Sequence, residues 1–238
     1  MSASPAISPS KAEAVRTMFT RIARRYDLMN SLMTGGRHHA WRRRVAESAA
    51  GAPGGPVLDL ATGTADLAIA IRRRTPGRFV AGADFSEGML RIGQAKLRER
   101  RLTRVQLLAG DALALPFRDG AFACVMSAFL LRNLEHLERG LAEMRRVTAR
   151  GGRVVTLDIV RPAAPLWGEI FGAYFNHVVP AIGALVAGDR QAYTYLPQSV
   201  DRFVTPDELA ELMEHVGLRD VTYRRLGLGT IALHVGIA

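Results

Sequence analysis

The chain has 238 residues, 48% of them hydrophobic, enough to bury a full core in one α/β unit with appendages. Its one cysteine, Cys124, excludes an internal disulfide, and no Cys/His cluster has metal-ligand spacing, so a reducing compartment and no metal centre are expected. The net charge of +10 invites nucleic acid or an anionic membrane, yet an Arg-rich composition alone selects neither.

Residues 1–9 are Ser/Pro/Ala-rich and lack the apolar run of a signal peptide; they read as a disordered lead, with the protein staying in the cytoplasm. Ser10 and Glu13 form a capping-box pattern, and Val15, Phe19, Ile22, Tyr26 and Met29 then recur at helical spacing. After Gly35 and Gly36 a second helical stretch covers 38–50, and the Gly/Pro cluster at 51–56 separates this helical pair from the remainder of the chain. Residues 1–50 hold nine Lys/Arg against three Asp/Glu, so this end is expected to meet something negative. From Val57 onward short apolar runs, predicting strands at 57–60, 79–83, 105–109, 122–127 and 153–159, alternate with helical patterns at 65–74, 87–100 and 135–149. That alternation predicts a parallel sheet. Thr205-Pro206-Asp207-Glu208 supplies a cap, an N1 proline and a capping-box acid for a further helix. Two last strands, at 221–226 and 230–235, flank a Gly-containing turn and predict an antiparallel hairpin. The expected architecture is a doubly wound, Rossmann-like α/β fold of the class I methyltransferase type, with a mostly parallel seven-stranded sheet and an N-terminal helical cap.

The run Asp59-Leu60-Ala61-Thr62-Gly63-Thr64-Ala65-Asp66 takes a strand through small residues into a helix. Small residues let a ligand approach the backbone. At the carboxyl end of a first strand, where open α/β sheets bind nucleotides, the helix start offers free amide donors. Asp84, 21 residues after Gly63 and followed by Phe85, ends the second strand, where an acid accepts hydrogen bonds from both ribose hydroxyls. NAD enzymes share that feature. Gly110-Asp111-Ala112 after the third strand places a carboxylate where an adenine amino group would sit, which nicotinamide folds do not require. The three ordered signals favour S-adenosylmethionine, with Gly63 and Thr64 nearest its methionine portion. Asp59, Ala61, Phe85, Ala112, Ser127 and Ala128 complete the candidate cofactor residues.

Three blocks carry a resemblance. The first is Met18-Phe19-Thr20-Arg21-Ile22-Ala23-Arg24-Arg25-Tyr26-Asp27-Leu28-Met29-Asn30 with Gly36, His38 and Trp41-Arg42; the second is Phe129-Leu130-Leu131-Arg132-Asn133. The third runs from Asn176-His177 through Pro180 and Gly183 to Ala192-Tyr193 and Tyr195-Leu196-Pro197. In this order they resemble the ubiquinone/menaquinone biosynthesis C-methyltransferases, from about Val15 almost to Ala238. Departures are Ala65 and Leu130, where family members commonly carry Gly, and Ala128, where they carry Ser. The resemblance implies a cap at 10–50 and a methyltransferase domain at 51–238 with a substrate-lid insertion at about 162–204. It also implies methylation of a ring carbon of a prenylated quinol, demethylmenaquinol first. The equivalent benzoquinol, or another small aromatic metabolite, is the alternative.

A ring carbon becomes nucleophilic when an adjacent phenol loses its proton. Free phenols ionise near a pKa of about 10, so a nearby cation is needed. Arg132 is the candidate cation; Asp66, as the resemblance also suggests, is the candidate proton acceptor, directly or through water, with His38 the alternative base. Tyr26, Asp27, Asn30, His38 and Trp41 are expected to line the quinol pocket, together with Asn133, His177 and Tyr193. Residues 170–188 carry no formal charge, but Asn176, His177, Pro180 and glycines interrupt them, so they read as tail-binding helices rather than a membrane span. A prenyl tail keeps such a substrate in the bilayer, and peripheral contact at the inner face of the cytoplasmic membrane is expected through the basic N-terminal region. Nucleic acid is the distant alternative. Ser127-Ala128-Phe129-Leu130-Leu131 lacks the Asn/Asp-Pro-Pro-aromatic run of base amino-group methylation, and Cys124 lies inside an apolar strand. A donor-binding module without turnover stays open, as does oligomeric state, a homodimer included.

Overall fold

The computed structural model describes residues 11–238; the expected lead at 1–9 and the Ser10 cap lie outside the described residues. Helix α1 (Lys11–Thr34) turns Val15, Ile22 and Met29 inward, and the left-handed pair Gly35 and Gly36 then reverses the chain into α2 (Arg37–Ala50). The alternating section folds as β1 (Val57–Leu60), α3 (Asp66–Arg74), β2 (Val80–Asp84), α4 (Glu87–Glu99), β3 (Val105–Ala109), β4 (Phe122–Ala128), α5 (Leu137–Val147) and β5 (Thr148–Ile159). Helix α5 stops two residues short of the expectation because the Thr148 hydroxyl donates to the Met144 carbonyl at 2.6 Å, and the chain leaves directly as a long strand.

A second helical group follows: α6 (Pro165–Ala173), a π-helical stretch Tyr174–Val178, α7 (Val179–Ile182), a π-helical stretch Gly183–Ala187 and α8 (Arg190–Asp201). By length and composition Pro165–Val186 could cross a membrane, and 22% of its most apolar window is buried. The chain ends with α9 (Pro206–His215), β6 (Arg219–Leu226) and β7 (Ile231–Ile237). Thr205 and Glu208 cap α9 reciprocally, as the sequence predicts.

The seven strands order as β3-β2-β1-β4-β5-β7-β6. Strands β1 to β5 pair in parallel, and β7 inserts antiparallel between β5 and β6. Every residue of β1 and β2 is buried, as a parallel sheet covered on both faces demands. One face carries a core of Leu58, Leu60, Val125, Met144, Leu209 and Met213; the other carries Val57, Ile71, Met126 and Leu157 with Val45 and Ala49 of α2. Thus α2, expected as part of a cap, packs on the sheet, because its apolar stripe Val45, Ala46 and Ala49 needs a surface to cover. A third cluster joins α1 to the inserted helices through Ile22, Met29, Phe175, Val179 and Tyr193. The order of strands reverses at β1 and β4, and their carboxyl ends open the crevice in which doubly wound sheets bind ligands.

Candidate active site

The first cavity lies across the carboxyl ends of β1, β2 and β4. The chain leaves β1 through left-handed Ala61, Gly63 and Ala65, with φ of 56°, 54° and 66°. Ala61 and Gly63 border the cleft, and a Cβ placed on Gly63 would meet nothing within 4 Å, so the backbone there faces open space. At the end of β2 the Asp84 carboxylate accepts the Gly63 N–H and the Ser86 N–H, each at 2.8 Å, which fixes both turns to one acid. Burial pushes the Asp84 carboxyl above its ordinary range, against the backbone donors of Ser86, Gly63 and Phe85 that favour its anion. Phe85, Ala112 and Ala128 also border this cleft, and α1 closes it with Val15, Phe19 and Tyr26. A buried carboxylate beside an open glycine turn and apolar walls fits a nucleoside carrying an amino-acid arm, as S-adenosylmethionine does.

The second cavity, of about 390 Å³, lies beneath α1, α6 and α8. Its wall is rich in aromatic rings: Trp41, Trp167, Phe171, Tyr174 and Tyr193 join Phe19 and Tyr26, with Asn30 beside them. Phe19, Tyr26, Phe129 and Asn133 line both cavities and form the boundary between them. Arg132 is on the second wall. Its Nη1 donates to Asp158 Oδ1 at 2.6 Å and to the Phe129 carbonyl at 2.9 Å, and its Nε has no hydrogen-bond partner among the described residues. Asn133 donates to the same carbonyl at 3.0 Å and accepts the Tyr195 hydroxyl at 3.2 Å. Phe129 can present its carbonyl to both residues because it takes a left-handed φ of 68°.

Several expected site residues stand elsewhere. Asp59, 1% exposed, lies behind the turn and accepts the Thr62 hydroxyl at 2.7 Å; burial lifts its carboxyl to about 7. The Thr64 hydroxyl points away from the cleft to Asp27 at 2.6 Å. Asp111 closes its own turn by accepting the Leu113 N–H at 2.9 Å, so Gly110, Ala112 and Leu113 border the cleft in its place. Ser127 is fully buried in β4, one residue short of the cleft-lining Ala128. Asp27 pairs with Lys96 at 2.6 Å instead of lining the second cavity, and His177 is exposed on the outer side of the π-helical stretch.

The two expected bases, Asp66 and His38, both have partners within the protein. Asp66 borders a separate basic groove against α2, where Lys96 holds it at 2.7 Å and Arg42 at 3.6 Å. Burial opposes its ionisation, but Arg42 and Lys96 outweigh burial and keep the carboxyl below its ordinary range, which suits an anion already paired. His38 does border the second cavity, yet both ring nitrogens are engaged, one by Ser31 Oγ at 3.1 Å and the other by Arg42. Burial and then the Arg42 charge lower its pKa to about 4, so the ring is neutral and a poor proton acceptor. His38, His39 and Asp66 bring potential ligand atoms within 4.8 Å of one another, a grouping the linear spacing hides. Arg42 already bonds His38 and faces Asp66 there.

Sequence reasoning missed Asp158, Lys96, Trp167, Phe171 and Tyr195. Trp167, Phe171 and Phe175 carried a usable signal, an aromatic every four residues, and the last two rings stack with centroids 4.8 Å apart.

Residues 7–238 match the model of the ubiE/COQ5 methyltransferase family. The demethylmenaquinone methyltransferase of Thermus thermophilus is 45% identical over 92% of this chain and 99% of its own length. The protein of the same name from Deinococcus radiodurans is 44% identical over 95% of this chain and 93% of its own. In fold, a SAM-dependent methyltransferase from Aquifex aeolicus superposes with a TM-score of 0.64 at 17% identity, over 89% of this chain and 98% of that one. With the parallel sheet, the cleft at its switch point and this likeness along nearly the whole length, the chain belongs to the ubiE/COQ5 methyltransferase family and is an S-adenosylmethionine-dependent methyltransferase.

Proposed function

We propose that this chain methylates a ring carbon of a prenylated quinol, with demethylmenaquinol as its substrate. The observation that carries this reading is the aromatic cavity of about 390 Å³ sharing Phe19, Tyr26, Phe129 and Asn133 with the donor cleft. Flat rings pack well against such walls, and a shared boundary brings acceptor and donor face to face, the alignment that methyl transfer needs. The names of the 45% and 44% identical relatives support a naphthoquinol over a benzoquinol.

When bound at the first cavity, S-adenosylmethionine supplies an electrophilic methyl group. The chain's residues do the rest. Helix α1 and the inserted helices exclude water from the boundary. Arg132, oriented by Asp158, stands as a cation on this wall, where it favours the ionised form of a ring hydroxyl. Among the described residues no carboxylate borders this cavity, so the proton passes to solvent or to water at the wall rather than to Asp66. The test is anaerobic incubation of reduced demethylated naphthoquinol and benzoquinol with methyl-labelled donor, products identified by mass. Labelled naphthoquinol is expected; donor binding without transfer to either ring refutes the reading.

The same reading places the enzyme at the inner face of a membrane. Leu166, Ile170 and Leu185 are 72%, 52% and 87% exposed along the inserted apolar run, and α1 adds exposed Arg24 and Arg25. A tail-bearing quinol partitions into the bilayer at roughly 0.8 kcal/mol per methylene, so the cavity must be filled from there. Leu166→Glu with Ile170→Glu is expected to abolish sedimentation with anionic liposomes; unchanged sedimentation refutes the contact.

A further inference from the structure

Helix α1 presents Phe19 and Tyr26 to both cavities. The same helix is tied to both turns that shape the donor cleft. Next to Phe19, the Thr20 hydroxyl lies 2.9 Å from Ser86 Oγ, and the Ser86 N–H donates to Asp84. Next to Tyr26, Asp27 accepts the Thr64 hydroxyl at 2.6 Å, and Thr64 follows cleft-lining Gly63. Lys96 of α4 locks this second link. Its ammonium has three protons and three partners on three segments: Asp27 at 2.6 Å, Thr64 Oγ1 at 2.9 Å and Asp66 Oδ1 at 2.7 Å. Asp66 in turn faces Arg42 of α2 at 3.6 Å. The cations Lys96 and Arg42 balance the carboxylates Asp27 and Asp66, so the cluster has no net charge with which to hold an ion. Its geometry joins segments instead.

We infer that Lys96, Asp27 and Thr64 are positioning residues that couple occupancy of the donor cleft to the seating of α1 over the acceptor cavity. A donor that orders the turn at Gly63 and Thr64 holds Asp27, and with it the neighbouring Tyr26 at the shared boundary. By reciprocity an acceptor seated against Tyr26 tightens the donor. The acceptor half of this inference rests on the quinol reading above.

Thr64→Val is nearly isosteric and removes only the hydroxyl, Thr64→Ser keeps it, and Lys96→Met keeps the apolar stem. For each full-length variant, the Kd of S-adenosylhomocysteine is measured by calorimetry with and without saturating 1,4-naphthohydroquinone, anaerobically, with thermal unfolding as the check on folding. The parent and Thr64→Ser are expected to bind S-adenosylhomocysteine about tenfold more tightly when the naphthohydroquinone is present, and Thr64→Val and Lys96→Met less than about twofold. Parental tightening in Thr64→Val, or its loss in Thr64→Ser, overturns the inference. A second readout omits the acceptor: S-adenosylhomocysteine alone slows amide hydrogen exchange along α1 in the parent and not in Thr64→Val, and equal slowing in both overturns the inference. If 1,4-naphthohydroquinone fails to bind the parent, the acceptor half of the inference fails, while the transfer assay decides the quinol reading and the exchange measurement decides the coupling.

Discussion

Replacing Asp84 with Asn tests the donor cleft at its most constrained point. The carboxylate uses one oxygen for the Gly63 N–H and the other for the Ser86 N–H, both at 2.8 Å. An amide keeps one acceptor oxygen, so one of these two N–H groups is left facing another N–H. Leaving a buried donor unsatisfied costs about 1–3 kcal/mol, which lowers Tm by about 2–12 °C in a domain of this size. The donor loses more specifically. Hydrogen bonds from ribose hydroxyls to a charged acceptor contribute about 1.5–3 kcal/mol, so the Kd for S-adenosylhomocysteine should rise about 10- to 150-fold. Calorimetry measures the affinity, and thermal scans with and without ligand separate it from stability. A Tm drop with Kd unchanged within twofold would show that Asp84 only braces the turns, and the assignment of ribose to this acid would be wrong.

Three further outcomes follow from other sites. Burial lifts Asp59 to about 7, whereas in the unfolded chain it titrates near its ordinary value of about 3.9. Folding therefore takes up a proton between those values, and the stability this confers is full below about pH 4 and declines as pH rises to 7; Asp59→Asn should remove that decline in urea titrations, and an unchanged slope would count against it. Arg132→Lys keeps the charge, but its side chain ends one atom short of the Nη1 that reaches both Asp158 and the Phe129 carbonyl. Turnover should fall about 100-fold through misplacement while S-adenosylhomocysteine affinity holds, and equal loss of both would place Arg132 outside the reaction. A Cβ on Gly183 would lie 2.3 Å from Tyr193 Cδ2 on the acceptor wall. Gly183→Ala should cost about 1–3 kcal/mol and raise KM for the quinol without changing donor affinity, and a change in donor affinity alone would contradict the placement of this wall.

The sheet was legible because its signals are local. Buried strands such as β1 and β4 are short, mostly apolar runs, and caps such as Thr205 with Glu208 are written three residues apart. The packing of α2 was not legible. Its Val45, Ala46 and Ala49 stripe reads the same whether the covered surface is a lid or a sheet, and only the three-dimensional neighbours decide. The same limit hid the partners of Arg132 and Asp66. Asp158 lies 26 residues from Arg132 and Lys96 lies 30 from Asp66, so no spacing rule connects them.

The turn after β1 shows why some of its expected residues border the cleft and others do not. Left-handed φ angles fall on Ala61, Gly63 and Ala65, every second position. Each such residue reverses the local direction of the chain, so backbone at 61 and 63 faces the cleft while the side chains of Thr62, Thr64 and Asp66 are thrown the other way. Small residue types at 61 and 63 announce the approach of a ligand to the backbone. The hydroxyls and carboxylate between them look equally suited to a ligand, and instead they fasten the turn: Thr62 to Asp59, Thr64 to Asp27 and Asp66 to Lys96. The polar side chains of the turn are used up behind it, so that Asp66 meets Lys96 and Arg42 rather than either cavity.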